Sequence, residues 1–190
     1  MRTRLSPAKR KEQLLDLGVR LLSTRSFQEI SVDLLADEAG ISRGLLYHYF
    51  GGLVQFQEAV IRRAAEDLME RTDLPEIADP IERLGAAIAA YVDFVDHNLA
   101  GYLSLVRGAK SGNAVMSEIY DSARAALTDR ILAAAPDLIP DTAPHRLLVR
   151  GWQAMAEELV IVWKTEPTEM TRAELLSLLV SALPALIGIS

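Results

Sequence analysis

The sequence predicts an all-α protein, and three observations lead to that prediction. Apolar residues recur at helical spacing through most of the chain. No convincing run of alternating apolar and polar residues, the pattern of a half-buried strand, is present. Short Pro- and Gly-containing segments separate the helical stretches, as loops between packed helices do. With 190 residues, the chain has room for one large domain or two small ones.

Capping residues predict the first three helices. Ser6 precedes a proline and an amphipathic run, which is the pattern of a helix N-terminus, and this helix should end within 23–26. Ser31 caps a second helix that ends at Gly40, a residue suited to the left-handed conformation of a tight turn. Ser42 then caps a third helix.

Six further helices are predicted by the same periodicity, with boundaries uncertain by about two to four residues. They span 53–71, 80–98, 99–109, 114–134, 144–165 and 171–187. The loops between them are Asp73-Leu74-Pro75, Ser111-Gly112-Asn113, the linker 136–144 and Glu166-Pro167.

The charge of the chain is unevenly distributed. Its net charge of -6 argues against a nucleic-acid partner, yet residues 1–52 carry about +2 and residues 53–190 about -8. Five cations fall in the first eleven residues: Arg2, Arg4, Lys9, Arg10 and Lys11. They could lie along DNA phosphates, or they could form a solvated, frayed terminus.

The sequence argues against a metal site, a secretory signal and a membrane-spanning segment. The chain has no Cys and its three His lie far apart, so we expect no disulfide, no metal site and no cofactor. The basic N-terminus lacks the apolar segment of a secretory signal. The uncharged stretch 175–190 is shorter than a bilayer-spanning helix and contains Pro184. We therefore expect a cytoplasmic protein with no membrane partner.

Residues 31–50 have the pattern of a helix-turn-helix unit. Ala36 is small where two helices would touch, Gly40 suits the turn, and the apolar residues Leu35, Ala39, Ile41, Leu46, Tyr49 and Phe50 fall on one side. The outward residues of the third helix are then Arg43, Gly44, Leu45, Tyr47 and His48. Such a face can enter the major groove of DNA. The alternative is a generic helical hairpin whose tyrosines belong to the core.

Residues 7–56 resemble the TetR family of bacterial transcription regulators. The matching residues are Phe27, the run 30–32, the run Leu35-Ala36-Asp37-Glu38-Ala39-Gly40-Ile41-Ser42 and the run Leu46-Tyr47-His48-Tyr49-Phe50. The resemblance implies a DNA-binding domain over 1–52 and a helical ligand-binding and dimerisation domain over 53–190. It further implies a homodimer formed by the last two helices, which a small-molecule effector releases from operator DNA.

Individual roles follow from the resemblance. Ser31 and Ser42 would meet phosphates at helix N-termini, Tyr47 and Tyr49 would place hydroxyls on the DNA backbone, and His48 lies beside them. Arg43, Gly44 and Leu45 occupy the base-reading positions, with Arg43 as the main hydrogen-bonding reader.

The chain departs from the family pattern at two positions. Ser26 stands where the family usually has Gly, and Leu53 stands where it usually has a Lys beside a phosphate. Loss of that phosphate contact should weaken DNA binding and reduce its salt-dependence slope by about one.

Seven residues are candidates for lining a ligand cavity: Tyr91, Phe94, Tyr102, Met116, Tyr120, Trp152 and Met155. They would suit an apolar or amphipathic small molecule, but the simple alternative is that most of them are core residues, and for any single one the core role is favoured. Glu157 or Glu158 could face inward on its otherwise apolar helix, or both could face solvent. The last helix has a wide apolar face suited to a dimer interface, comprising Leu175, Leu178, Leu179, Ala182, Leu186 and Ile187.

Two other classes of function compete with a DNA-binding regulator. An enzyme is disfavoured because no glycine-rich phosphate loop, nucleophile elbow or ligand cluster is present in the sequence. A helical ligand-binding or protein-interaction module would have kept the shape but lost specific operator binding through changes at 51–53.

Overall fold

The computed structural model describes residues 6–72 and 77–188, and within these ranges all regular structure is helical. The helices are α1 (Pro7–Leu22), α2 (Val32–Ala39), α3 (Arg43–Phe50), α4 (Leu53–Arg71), α5 (Pro80–His97), α6 (Leu99–Lys110), α7 (Ala114–Ala134), α8 (Ala143–Thr165) and α9 (Arg172–Leu186). A short 3-10 turn, Phe27–Glu29, precedes α2. The predicted all-α class is confirmed. Arg2, Arg4 and the predicted loop Asp73-Leu74-Pro75 lie outside the described residues.

The later helices begin and end within one residue of the predicted positions. At α9, a local capping motif fixes the start of the helix. The Thr171 hydroxyl accepts the Glu174 N–H at 3.3 Å, and the Glu174 carboxylate accepts the Thr171 N–H at 2.8 Å. This reciprocal arrangement satisfies donors that a helix start otherwise leaves without partners. In the described ranges, none of the helices has the length and apolar character needed to cross a bilayer.

The chain forms two compact units, of which the first comprises residues up to 67 together with 97–120. Its core joins α1, α2, α3, the first part of α4 and one residue of α7. The most deeply buried large side chains are Leu14, Leu35, Leu46, Phe56 and Ile61. Gly18 of α1 leaves room for Val60 and Phe56, since a Cβ at this glycine would lie 2.9 Å from the Phe56 ring. The helix-turn-helix segment therefore rests on α1 and α4.

The second unit comprises 68–96 and 121–188. Leu175, Leu179 and Leu183 of α9 are buried, and the buried Trp152 indole of α8 donates a hydrogen bond to the Leu179 carbonyl at 3.0 Å. Elsewhere in this unit, Arg130 of α7 donates to the Met69 carbonyl at 2.7 Å, at the C-terminal end of α4. Side-chain packing and side chain to backbone hydrogen bonds thus join helices that are distant in sequence.

The boundaries of the two compact units differ from those of the predicted domains, which meet at residue 52. Phe56, Val60 and Ile61 of α4 belong to the same core as α1, α2 and α3. The division of function between 1–52 and 53–190 stays a prediction.

Candidate nucleic-acid interface

Two serine caps begin the helices of the candidate interface. The Ser31 hydroxyl accepts the Leu34 N–H at 3.2 Å at the start of α2, and the Ser42 hydroxyl accepts the Leu45 N–H at 3.3 Å at the start of α3. Both serines are exposed and have extended backbone conformations. The predicted caps are confirmed, and both helices begin with a serine at the protein surface.

A left-handed glycine makes the turn between these helices. Gly40 has φ 61° and ψ 42°, a conformation that costs a residue with a Cβ. The following Ile41 N–H donates to the Ala36 carbonyl at 2.9 Å, which ends α2 and directs the chain into α3. Ala36 is buried, as expected for the small residue where the two helices meet.

The third helix has a buried side and an exposed side. Leu46 and Phe50 point into the core, whereas Arg43, Gly44, Tyr47 and His48 are exposed, with Tyr47 51% accessible. Leu45 is half-buried. The half-buried Tyr49 packs against the core, and its ring meets His48 edge-on at a centroid distance of 5.5 Å. The predicted outward face is therefore present, while its contact with DNA stays a prediction.

Arg43 has a partner that the sequence reasoning missed. Its Nε forms an ion pair with Asp33 Oδ1, although both side chains remain exposed, at 69% and 57%. Asp33 is the second residue of α2 and lies ten positions before Arg43. The steep crossing of two helices over a short turn brings the two residues together. No local sequence pattern marks such a pair.

The three N-terminal cations that the structure describes lie in different environments. Lys9 is exposed, and Arg10 donates to the Gln13 side chain at 3.3 Å. The Lys11 Nζ lies 5.6 Å from the centroid of the Phe50 ring, a distance suited to a cation-π interaction. Lys11 therefore places positive charge beside the C-terminal end of α3.

The structure gives Ser26 a clear structural role. Its backbone N–H and its hydroxyl both donate to the Glu29 carboxylate at 2.7 Å. These hydrogen bonds, the side-chain one first, hold the pKa of Glu29 below its ordinary value. Ser26 thus caps the 3-10 turn that leads into α2, at the position where the family usually has Gly.

The entry to α4 is an ordered turn. Gly51 ends α3 with φ 82°, and its N–H donates to the Tyr47 carbonyl at 2.8 Å. Leu53 is half-buried and packs against the core of the first unit. The position at which the family places a phosphate-binding Lys therefore contributes to packing in this chain.

The seven predicted cavity residues divide between the two compact units. Tyr102, Met116 and Tyr120 belong to the first unit, whereas Tyr91, Phe94, Trp152 and Met155 belong to the second. Phe94 and Trp152 are buried and the other five are half-buried. Met116 packs against the core of the first unit, and the Trp152 indole already has a backbone partner. A shared ligand site for these residues stays a prediction.

The two adjacent acids of α8 have different environments. Glu157 is buried, with 7% of its surface exposed, whereas Glu158 is exposed. Glu157 lies next to Ala156 and three residues before Val160, both of which are also buried. Of the two orientations left open by the sequence, the structure therefore selects an inward Glu157.

Comparison with known proteins covers both parts of the chain. Residues 14–55 match the family model described as "Bacterial regulatory proteins, tetR family", and residues 80–186 match "Tetracyclin repressor-like, C-terminal domain". A solved tetR-family transcriptional regulator from Streptomyces coelicolor is 35% identical, with a TM-score of 0.88. The match covers 97% of this chain and 83% of that one.

Two curated relatives come from Mycolicibacterium smegmatis. The HTH-type transcriptional activator FasR is 33% identical over 101 residues, which are 52% of this chain and 46% of the relative. The HTH-type transcriptional repressor KstR2 is 32% identical over 96 residues, which are 50% of this chain and 47% of the relative. The matched region thus spans about half the length of these two relatives.

Proposed function

This chain belongs to the TetR family of bacterial transcription regulators, and on that basis we propose that it is a ligand-responsive repressor of transcription. It would bind operator DNA through α3 and leave the operator when a small apolar or amphipathic molecule binds the helical domain. The observation that carries this proposal is the exposed face of α3, where Arg43, Tyr47 and His48 lie beside the Ser42 cap.

The dimensions of α3 suit the major groove. An α-helix with its side chains is about 10–12 Å in diameter, which matches the major-groove width of about 12 Å, and the eight residues of α3 extend about 12 Å along the helix axis. Arg43 is the first residue of this helix, so its donors lie at the end that approaches base edges in helix-turn-helix proteins. Arg43 can donate two hydrogen bonds to one guanine, whereas Gly44 and the half-buried Leu45 supply shape and apolar contact.

Phosphate contacts would fix the position of α3 in the groove. The exposed Ser31 and Ser42 lie at helix N-termini, where backbone N–H groups and the helix dipole favour a phosphate. The exposed Tyr47 can direct its hydroxyl to the DNA backbone, and the half-buried Tyr49 can do so from the edge of the core.

A homodimer would present two copies of α3 to one operator. In α8 and α9, four large apolar side chains remain exposed: Leu147, Leu148, Leu178 and Leu186. Apolar surface on neighbouring helices favours burial against a second copy, and two-fold symmetry places two α3 helices on the half-sites of a palindrome. We therefore place the dimer interface on α8 and α9. As a DNA-binding regulator, the protein would act in the cytoplasm.

The proposed effector is an apolar or amphipathic small molecule bound among the aromatic and Met side chains of the helical domain. Phe94 and Trp152 are buried and Tyr91 and Met155 are half-buried, which is the kind of lining that apolar ligands require. These residues remain candidates for the site.

A salt titration of operator binding tests the proposal. The full-length protein is titrated with DNA from upstream of its own gene and with random-sequence DNA, across a range of salt concentrations. Arg43→Ala should reduce discrimination at one base pair by about 1–3 kcal/mol, because a bidentate contact to guanine is lost. Arg63→Ala, which removes an exposed cation from α4, is the matched control and should preserve sequence preference.

Leu53 favours a second candidate function, a helical module without specific operator binding. It packs against the core at the position where the family usually offers a phosphate-binding Lys. The same titration separates the two functions. Absence of specific binding even at low salt, or unchanged sequence preference in Arg43→Ala, would contradict the repressor proposal.

A further inference from the structure

We infer that Asp33 is a positioning residue for base reading, which orients the guanidinium of Arg43 toward guanine. This inference rests on the proposed DNA-binding function and adds to it a determinant of specificity that lies outside the reading helix. The pair joins the first turn of α2 to the first turn of α3, so the acid acts from the neighbouring helix.

The geometry of the pair leaves the reading end of Arg43 available. Asp33 Oδ1 contacts Nε, the guanidinium nitrogen nearest the aliphatic stem. The two terminal nitrogens, Nη1 and Nη2, can then donate in parallel to O6 and N7 of a guanine. Because the carboxylate holds Nε, Arg43 cannot approach a guanine side-on, through Nε and one terminal nitrogen. It can still approach end-on, through both terminal nitrogens. Asp33 thus selects one of two bidentate geometries.

Stability alone gives little reason for this ion pair. Both side chains are more than half exposed, and an exposed pair of this kind contributes little to folding. Its larger effect is conformational, since it restrains a long side chain that otherwise samples many rotamers. Restraint before binding reduces the entropy lost when Arg43 engages a base, and it penalises base pairs that require another orientation.

The charge of Asp33 provides a signature that distinguishes positioning from general support. A carboxylate on the surface that approaches DNA repels phosphates, so its removal should maintain or increase affinity for DNA of random sequence. Loss of the restraint on Arg43 should instead reduce discrimination between bases. A residue that only supported the fold would lower both quantities together.

The test uses full-length protein and DNA selected from a randomised pool by the wild type. The guanine read by Arg43 is the one whose replacement by adenine weakens binding of the wild type but not of Arg43→Ala. Discrimination is the Kd for the site with this guanine replaced by adenine, divided by the Kd for the selected site. Asp33→Ala should reduce this ratio about fivefold or more, with unchanged or tighter binding to random DNA. Asp33→Glu should restore much of the ratio. Asp37→Ala, which removes an exposed acid one turn further along α2, should leave it unchanged.

The outcomes separate this inference from the proposed function. A wild type that enriches no sequence refutes operator reading and Asp33 positioning together. A wild type that selects a site, with the same ratio in Asp33→Ala, refutes only the role of Asp33, whatever happens to total affinity. If Asp33→Ala loses helical circular dichroism, Asp33→Leu provides the same comparison, because leucine has a similar branched shape and no hydrogen-bond acceptor. An unchanged ratio in that variant also overturns the inference.

Discussion

Replacement of Gly101 by Ala tests how the first compact unit holds α6 against the end of α1. A Cβ at Gly101 would lie 2.8 Å from the Leu22 Cβ and 2.9 Å from the Leu22 carbonyl oxygen. One of these neighbours is backbone, so no side-chain rotation relieves the clash. The helices must separate, and we expect the folded state to lose stability.

The size of the effect follows from two opposing terms. Alanine in a helix is favoured over glycine by about 0.5–1 kcal/mol. Overpacking of a close contact costs about 1–3 kcal/mol. The net expectation is a destabilisation of about 1 kcal/mol or somewhat more, which lowers the Tm of a chain of this length by about 2–4 °C per kcal/mol.

Gly44→Ala is the matched control, because Gly44 is exposed in α3 and its added Cβ would meet only the Ser42 hydroxyl, at 3.9 Å. At that position only the preference of a helix for alanine over glycine applies, so the Tm of Gly44→Ala should be unchanged or rise by a few degrees. Both variants are melted at one protein concentration and followed by circular dichroism at 222 nm. If Gly101→Ala melts at or above the temperature of Gly44→Ala, the close approach of α6 to Leu22 does not limit stability.

Two further predictions concern the dimer and the pH dependence of α9. Leu178→Glu should convert the proposed homodimer to monomer in analytical ultracentrifugation, because it would bury a charge in the interface. Val54→Glu, the same kind of change at an exposed apolar residue of α4, is the control and should leave the dimer intact. A dimeric Leu178→Glu would contradict the proposed interface. Hydrogen bonds from Thr171 lower the pKa of Glu174 from 4.5, so this carboxylate stabilises the fold above pH 4.5 and loses that effect as pH falls through the lowered pKa. The Tm advantage of wild type over Glu174→Gln should therefore vanish in acid, and a pH-independent difference would refute the assignment.

A truncation before α9 would be a poor test of the dimer. Leu175, Leu179 and Leu183 are buried, and the Trp152 indole donates to a carbonyl of α9. Removal of the helix would therefore expose the core of the second unit as well as remove the proposed interface. Substitution of the exposed Leu178 changes the proposed interface and leaves these buried residues in place.

Local features of the sequence determined much of the fold and of the exposed face of α3. Ser31 and Ser42 cap their helices, and Gly40 adopts the left-handed conformation that its position in the pattern predicted. The apolar spacing of α3 correctly separated the buried Leu46 from the exposed Tyr47. These features depend on residues within about one helical turn of each other, so a linear pattern contains the information.

Contacts between helices were decided only by the tertiary structure. The pairing of Arg43 with Asp33, the inward orientation of Glu157 and the packing of Leu53 each depend on which helix lies alongside. Periodicity places a residue on one face of its helix, but it specifies neither the crossing angle nor the neighbour that this face meets. The sequence therefore determined that α3 has an outward face beginning with a cation, while the crossing of α2 and α3 decided that Asp33 holds that cation.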